Sequence, residues 1–388
     1  GSMSMPNVSI IGLNKVTAAE LHQEQLHFQH ELSGTELHTI PLTVSPYHHI
    51  NKEITRNSLD RFDEDLTRDT TVETVHSLFS DNEVYGWNVM RKMHHYTQLA
   101  EKIAEDGDFE VIHAHDWITF TAGINIKART GKPLILHVHS LETDRAGEHT
   151  RNDIYDLEEK AMRIADRVVS VSQFTKNQIQ QHYGIDPEKI TVIHNGIALG
   201  NTTRKAHQLR DKLVVFLGRL THQKGPEFLL ETAEKVTRVY PRVKFIVAGT
   251  GDQLAHILET SAYKKLGSKF IFTGFLSKAK VDELLSMADV YFMPSVSEPF
   301  GITALEAIHH HVPSVLSVQS GAAEVIHASL KAEFWDTDKY ANYIYALLKY
   351  NTLHRELSDR ARIELESLTW AHTAEKILNV YQGVTSTK

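Results

Sequence analysis

Short, nearly unbroken apolar runs alternate with stretches of helical period along most of this chain. VSIIGL (8–13) reads as a first strand, VTAAELHQEQLHFQHEL as a helix stopped by Ser33-Gly34, and ELHTIPL as a second strand. Residues 45–86 are polar, acid-rich and poorly periodic, as expected of a long insertion or mobile loop. From there the alternation is regular. A helical run (87–105) precedes the strand FEVIHAHDW, a helix at 118–129, and the strand and turn KPLILHVHSLETDRAGE. A helix at about 152–165, the strand DRVVSVS, a helix at 173–183 and the strand KITVIHNGI follow. Residues 198–211 lack periodicity and read as a linker. The pattern restarts with KLVVFLGRL, a helix at 226–239, VKFIVAGTGD, KFIFTGFL, the helix KAKVDELLSMA, and DVYFMPSVSEPFGITALEAIHHHVP, then SVLSV and a helix start at SGAAEVI. The last fifty residues are helical. Strands alternating with helices predict an α/β chain of two doubly wound parallel sheets with right-handed crossovers.

A length of 388 residues exceeds one hydrophobic core, so two domains are expected. We place them at 3–200 and 201–370, with 371–388 as a terminal helix. No apolar run approaches membrane-spanning length and no basic-plus-apolar leader is visible, so a cytoplasmic location is expected. Zero cysteines exclude disulfides and thiolate chemistry, and a net charge of −8 argues against a nucleic-acid partner. Histidine is abundant, at 25 residues. His-x-His occurs at 113–115 and 137–139, and two such residues on a strand share a face, which makes a metal site conceivable. No carboxylate or third histidine sits at a recognised ligand spacing, so His113 and His137 read as core or near-core strand residues and no metal is expected.

The most informative stretch is 289–313. A short buried strand ending at Pro294 leads through a turn-rich loop to Gly301 and a helix starting at Ile302 and Thr303. The first amides of such a helix lack intrahelical acceptors and carry the positive end of its dipole, which favours an anion. Glu298 and Glu306 frame that site as acceptors for hydroxyls of a phosphorylated ligand; alternatively they are a solvated loop charge and a solvated helix residue. Gly218-Arg219 and Lys224-Gly225 put two cations after another buried strand, where a diphosphate would sit. By the same rule, His115, Asp116, His139, Asp144 and Arg145 lie beyond strand ends in the first half.

EPFGITALE, with SVSEPFG, VQSGAAEVI, FLGRLTHQKGPEF and EFWDTDKYAN, resembles the signature of retaining family-4 glycosyltransferases and their glycogen- and starch-synthase relatives. The resemblance covers nearly all of 100–380 and is weakest over 1–90. It implies the GT-B fold, two Rossmann-like domains facing across a cleft with the last helix crossing back to the first domain. It also implies a nucleotide-sugar co-substrate, with UDP-glucose expected, a carbohydrate acceptor, and no other cofactor. Arg219 and Lys224 would hold the donor diphosphate, Glu298 the donor sugar and Glu306 the ribose. His139 would sit beside the reacting sugar, and Asp116, Asp144 and Arg145 on the acceptor side. Gly218, Gly274, Phe275, Phe300, Gly301, Ile302, Thr303 and Gly12 would line the donor, with backbone near Phe275 meeting the base. Two departures stand out: Asn14 replaces a glycine expected in the first loop, and His309, His310 and His311 stand where small residues and a glycine are usual. The aspartates of Asp336-Thr-Asp338 are expected to cap a helix rather than hold a metal. Rival functions are a silent nucleotide-sugar or glycan binder and a sugar-nucleotide epimerase or hydrolase.

Overall fold

A computed structural model describes residues 8–13, 35–40, 88–205 and 210–386. The expected helix after the first strand, the 45–86 stretch and Asn14 lie outside the described residues. In chain order the elements are β1 (Val8–Leu13), β2 (Thr35–Ile40), α1 (Asn88–Asp106), β3 (Ile112–His115), α2 (Trp117–Thr130), β4 (Leu134–Val138), α3 (Glu142–Ala146), α4 (Asp153–Ile164), β5 (Arg167–Ser170), α5 (Gln173–Tyr183) and β6 (Ile190–Val192). There follow β7 (Lys212–Leu217), α6 (Pro226–Val239), β8 (Val243–Ala248), α7 (Leu254–Tyr263), β9 (Phe270–Gly274), α8 (Lys278–Met287), β10 (Val290–Met293), α9 (Ile302–His309), β11 (Ser314–Ser317), α10 (Gly321–Val325), β12 (Leu330–Ala332), α11 (Thr337–Lys349), α12 (Asn351–Leu365) and α13 (Trp370–Thr385). Among the described residues no helix is long and apolar enough to cross a membrane.

The chain divides into two compact units, 1–137 with 156–166 and 387–388, and 138–155 with 167–386. In the first unit β1 pairs in parallel with β2, and β3 in parallel with β4. Gly12 is a strand residue here, opposite Thr39. Leu134, Ile135 and Leu136 are fully buried, and Trp117 and Phe120 of α2 are buried in the same unit. The Asp166 carboxylate accepts the Leu134 amide at 2.6 Å and the Lys127 ammonium at 2.5 Å, anchoring the start of β4.

The second unit is built on a six-stranded sheet of order β12-β11-β10-β7-β8-β9. Every pair is parallel, so helices cover both faces and the strands read as apolar runs rather than alternating ones. Alternation appears instead in which core each residue joins: Leu213, Val215 and Leu217 pack with α8, α9 and α10, whereas Val214 and Phe216 pack with α6 and α11. Each such side chain contributes about 1.5–3 kcal/mol when fully buried. Asp289 pins the start of β7 at the middle of the sheet, accepting the Leu213 amide and the Lys212 ammonium, both at 2.8 Å. The strand predicted over KITVIHNGI stops at Val192, and Gly196 then runs against the backbone of Thr369 and Trp370. Ile197 donates its amide to Leu368 at 2.8 Å and Thr373 its hydroxyl to the His194 carbonyl at 2.9 Å, so α13 is tied to residues that precede the linker.

The described part of the linker explains the histidine triplet. The Gly200 amide donates to His309 Nε2 at 3.1 Å, Thr202 Oγ1 to the His309 carbonyl at 2.7 Å, and Arg204 to the carbonyls of His311 and Ala288. His310 Nε2 lies 3.2 Å from Asp282 Oδ1. The triplet therefore docks the linker onto the end of α9. His311 adopts φ 59°, a left-handed conformation that costs a side-chain-bearing residue about 1–2 kcal/mol. His311→Gly keeps the carbonyl that Arg204 uses and is expected to stabilise the protein by up to about 1 kcal/mol, after the entropy lost by glycine on folding. Equal urea midpoints for variant and parent would contradict this.

Candidate active site

Strands β7, β8 and β9 run outward in one direction and β10, β11 and β12 in the other, so the order reverses between β7 and β10. In open parallel sheets a ligand crevice forms beyond the carboxyl ends of the strands at such a reversal. The loops leaving these two strands are 218–225 and 294–301, the two that the sequence marks as chemical. They are laced together: the amides of Val296 and Ser297 donate to the Gln223 carbonyl at 3.0 and 3.3 Å. At their meeting point the Lys224 ammonium pairs with the Glu298 carboxylate, 74 residues away in sequence. Glu298 is 7% exposed, so the pair is largely withdrawn from solvent.

Gly301 caps α9 with φ 97°, which glycine alone adopts readily, and an added Cβ would crowd the Glu298 and Met293 side chains at 3.2 Å. The first turn-closing bond of α9 is Ala304 N–H to the Gly301 carbonyl, which leaves the Ile302 and Thr303 amides at the helix start. Phe300 is buried and Ile302 exposed. Thr303 Oγ1 meets the Tyr291 hydroxyl at 2.7 Å. Glu306 pairs with Lys278 at 3.1 Å. Burial opposes the Lys278 charge, but the hydrogen bonds it donates to Asp282 and Glu306 outweigh that and raise its pKa. Gly274 closes β9 in the left-handed region, and Phe275 beside it is 83% exposed.

Two parts of this neighbourhood carry no signal in single residues. Gly249, after β8, takes φ 140° and packs directly on the Gly218 carbonyl. Its loop holds the first one through Gly218 N–H to the Ala248 carbonyl at 3.0 Å and Leu220 N–H to Thr250 at 2.9 Å. The Gly-Thr-Gly after VKFIVA is the pattern that could have indicated it. The 294–301 loop is likewise braced by Glu298 N–H to the Gln319 carbonyl and Gly321 N–H to the Glu298 carbonyl, at 2.9 and 3.1 Å.

The segment after β4 adds further groups. Asp144 accepts the Leu141 amide at 2.7 Å and the Ser297 hydroxyl, which brings it to the Glu298 loop. Burial raises its pKa; its hydrogen bonds and Arg145 oppose that, and the Glu298 charge adds to it. Arg145 Nε donates to Glu142 at 2.9 Å and its Nη1 to Ser140 Oγ at 2.8 Å, while Asn152 donates to Glu142 at 2.9 Å. Arg145 is thus held inside a buried network. His139 is half-buried, and loss of solvent around the ring pulls its imidazole down to about 4. It stays neutral near pH 7. In the unfolded chain the same group would protonate below about 6.5. Between those values the unfolded state binds more protons, so stability is fully present above about pH 6.5 and falls as pH drops toward 4. The expected loss reaches up to about 3 kcal/mol, and urea unfolding of His139→Gln across that range should show a correspondingly shallower slope.

Asp116 belongs to the first unit, at the start of α2, with φ 58° and its amide donated to the His137 carbonyl at 3.0 Å. Asp336 accepts the Lys339 amide at 3.0 Å and caps α11, and Asp338 pairs with Lys235 at 2.7 Å. Both aspartates are therefore engaged at a helix start.

Comparison with known proteins bears on the family and the fold. The family model for Glycosyl transferases group 1 matches residues 201–364, and that for Glycosyltransferase Family 4 matches 54–200. An uncharacterized glycosyltransferase of Methanocaldococcus jannaschii is 29% identical over 295 residues, 71% of this chain and 75% of that protein. Alpha-maltose-1-phosphate synthase of Mycolicibacterium smegmatis is 29% identical over 313 residues, 71% of this chain and 79% of that one. Among solved structures, sucrose-phosphate synthase of Thermosynechococcus elongatus superposes with a TM-score of 0.74 at 16% identity, covering 99% of this chain and 100% of that one. The Anabaena protein HepE, solved with UDP and glucose, gives 0.68 at 16% identity, covering 97% and 100%. With consecutive family models over most of its length and two parallel-sheet units that share the fold of these structures, the chain belongs to the glycogen-synthase-like family-4 glycosyltransferases of GT-B fold.

Proposed function

We propose that the protein transfers a hexose, glucose from UDP-glucose, with retention onto a carbohydrate acceptor and without a divalent metal. The observation that carries this reading is the Lys224–Glu298 pair at the reversal between β7 and β10, beside the start of α9. Departure of a nucleoside diphosphate develops negative charge. Lys224, Arg219 and the Ile302 and Thr303 amides supply fixed positive charge to meet it. Glu298 has acceptor capacity beyond its bonds from Lys224 and Ser295, both to one oxygen, and can take donor-sugar hydroxyls; Glu306, about one turn into α9, takes the ribose. A neutral His139 can accept a hydroxyl proton or bond without bringing a second cation to the sugar. Among the described residues no carboxylate pair is assigned to a glycosidase-type double displacement, which favours a front-face displacement over two inversions. UDP in the Anabaena structure and the glucosyl chemistry in the names of the synthases support the choice of donor.

The test is a thermal-shift screen of nucleotide-sugars on the full chain, followed by mass spectrometry of products with oligosaccharide acceptors. A glycosylated acceptor formed from UDP-glucose in excess EDTA is the expected result. Donor turnover without a glycosylated product would indicate a hydrolase or epimerase, and stabilisation without turnover a silent binder. The two glutamates should also separate: Glu306→Gln should weaken plain UDP, whereas Glu298→Gln should spare UDP and impair the sugar-dependent step. Equal effects of both on both ligands would refute that division.

A further inference from the structure

The first unit holds a constellation that the transfer reaction does not use. His113 and His115 project from the same face of β3, two residues apart, and β4 brings in His137 as the register partner of His115. One ring nitrogen from each lies within 4.8 Å of the others. The imidazoles are gathered side by side, with centroids 4.3 Å apart for His113–His115, 5.4 Å for His113–His137 and 5.0 Å for His115–His137. We infer that His113, His115 and His137 form a binding site for one divalent transition-metal ion of the zinc, cobalt or nickel class.

Three features carry the inference. The ligand type is right, because neutral imidazole is a preferred donor for these ions and three of them make a set with one position open to water. The backbone that bears them is fixed: Asp116 donates its amide to the His137 carbonyl at 3.0 Å, and Thr119 Oγ1 donates to the His115 carbonyl at 2.8 Å. Such pinning is what a preformed ligand set needs. Exposure is graded, from His137 at 4% through a half-buried His113 to an exposed His115, so an ion has an entry side and an inner wall. Metal–nitrogen distances of about 2.0–2.1 Å in a tetrahedral set place the nitrogens roughly 3.3 Å apart. The nitrogens stand at most 4.8 Å apart, so convergence asks for small side-chain movements, and the exposed His115 has the most room for one. Binding would exchange the stacked arrangement for a converged one, with any proton on the ligating nitrogens released to solvent.

The experiment uses the full chain, stripped with chelator and dialysed, and titrated with cobalt(II) alone while visible d–d absorption is followed. One equivalent should bind with the intense band of a four- or five-coordinate ion and be displaced by zinc. His115→Gln, at an exposed position, should lose at least tenfold in affinity, and His113→Gln likewise. His256→Gln, at an exposed position of α7, serves as the control for the many other histidines and should bind as the parent does. Circular dichroism verifies that each variant is folded; if His113→Gln is not, His115→Gln decides. Absence of a stoichiometric break, or parent-like binding by His115→Gln, would overturn the assignment. None of these readouts depends on glycosyl transfer.

Discussion

Lys224→Ala is expected to lower transfer about 100–1000-fold, the effect of removing one preorganised donor from a developing anion. It should also destabilise the fold by about 3 kcal/mol, because Glu298 is left nearly buried without its cation. The two losses separate in a cycle with Glu298→Gln. Pairing that substitution with Lys224→Ala removes the stranded charge and should restore most of the stability, but none of the transfer. Arg219→Ala, in the same loop, should reduce transfer comparably. Combined with Lys224→Ala it should cost less than the sum, since both act on one diphosphate. Steady-state kinetics and urea unfolding of the five variants check this. If Lys224→Ala and Arg219→Ala both keep parental turnover, the diphosphate is bound elsewhere.

Gly249→Ala should be the most damaging single-methyl change near the site, at about 4 kcal/mol. Two costs add: a backbone at φ 140°, worth about 1–3 kcal/mol for a residue with a side chain, and overpacking of a similar size where the new Cβ overlaps the Gly218 carbonyl. Gly218 carries the loop to Arg219 and Lys224, so the variant should also weaken UDP binding even under conditions where it remains folded. Gly267→Ala is the control, because its Cβ would enter open space. Calorimetry with UDP beside urea unfolding gives both numbers. Parent-like UDP affinity in a measurably destabilised Gly249→Ala would show that the two loops are not coupled.

Period and local chemistry determined a great deal here. Helices at 173–183 and 226–239 and strands starting at Lys212 and Ser314 are legible because an apolar face, a cap and a following breaker all lie within a few residues. Asp336 as a cap is legible for the same reason, since its partner is three residues away. The GT-B fold and the loops that carry Arg219, Lys224, Glu298 and Gly301 were readable because each loop announces itself at the end of an apolar run. What the loops do to one another was not. That Lys224 reaches Glu298 across 74 residues, that Ser297 finds Asp144 across 153, and that Gly249 braces Gly218 all follow from strand order, and strand order is set by the packing of whole units rather than by spacing along the chain. The histidines show the limit most plainly. His113 and His115 advertise a shared face, but their third member, His137, joins them only because β4 pairs with β3 in one register, and a slip of one residue would turn its imidazole to the other side of the sheet.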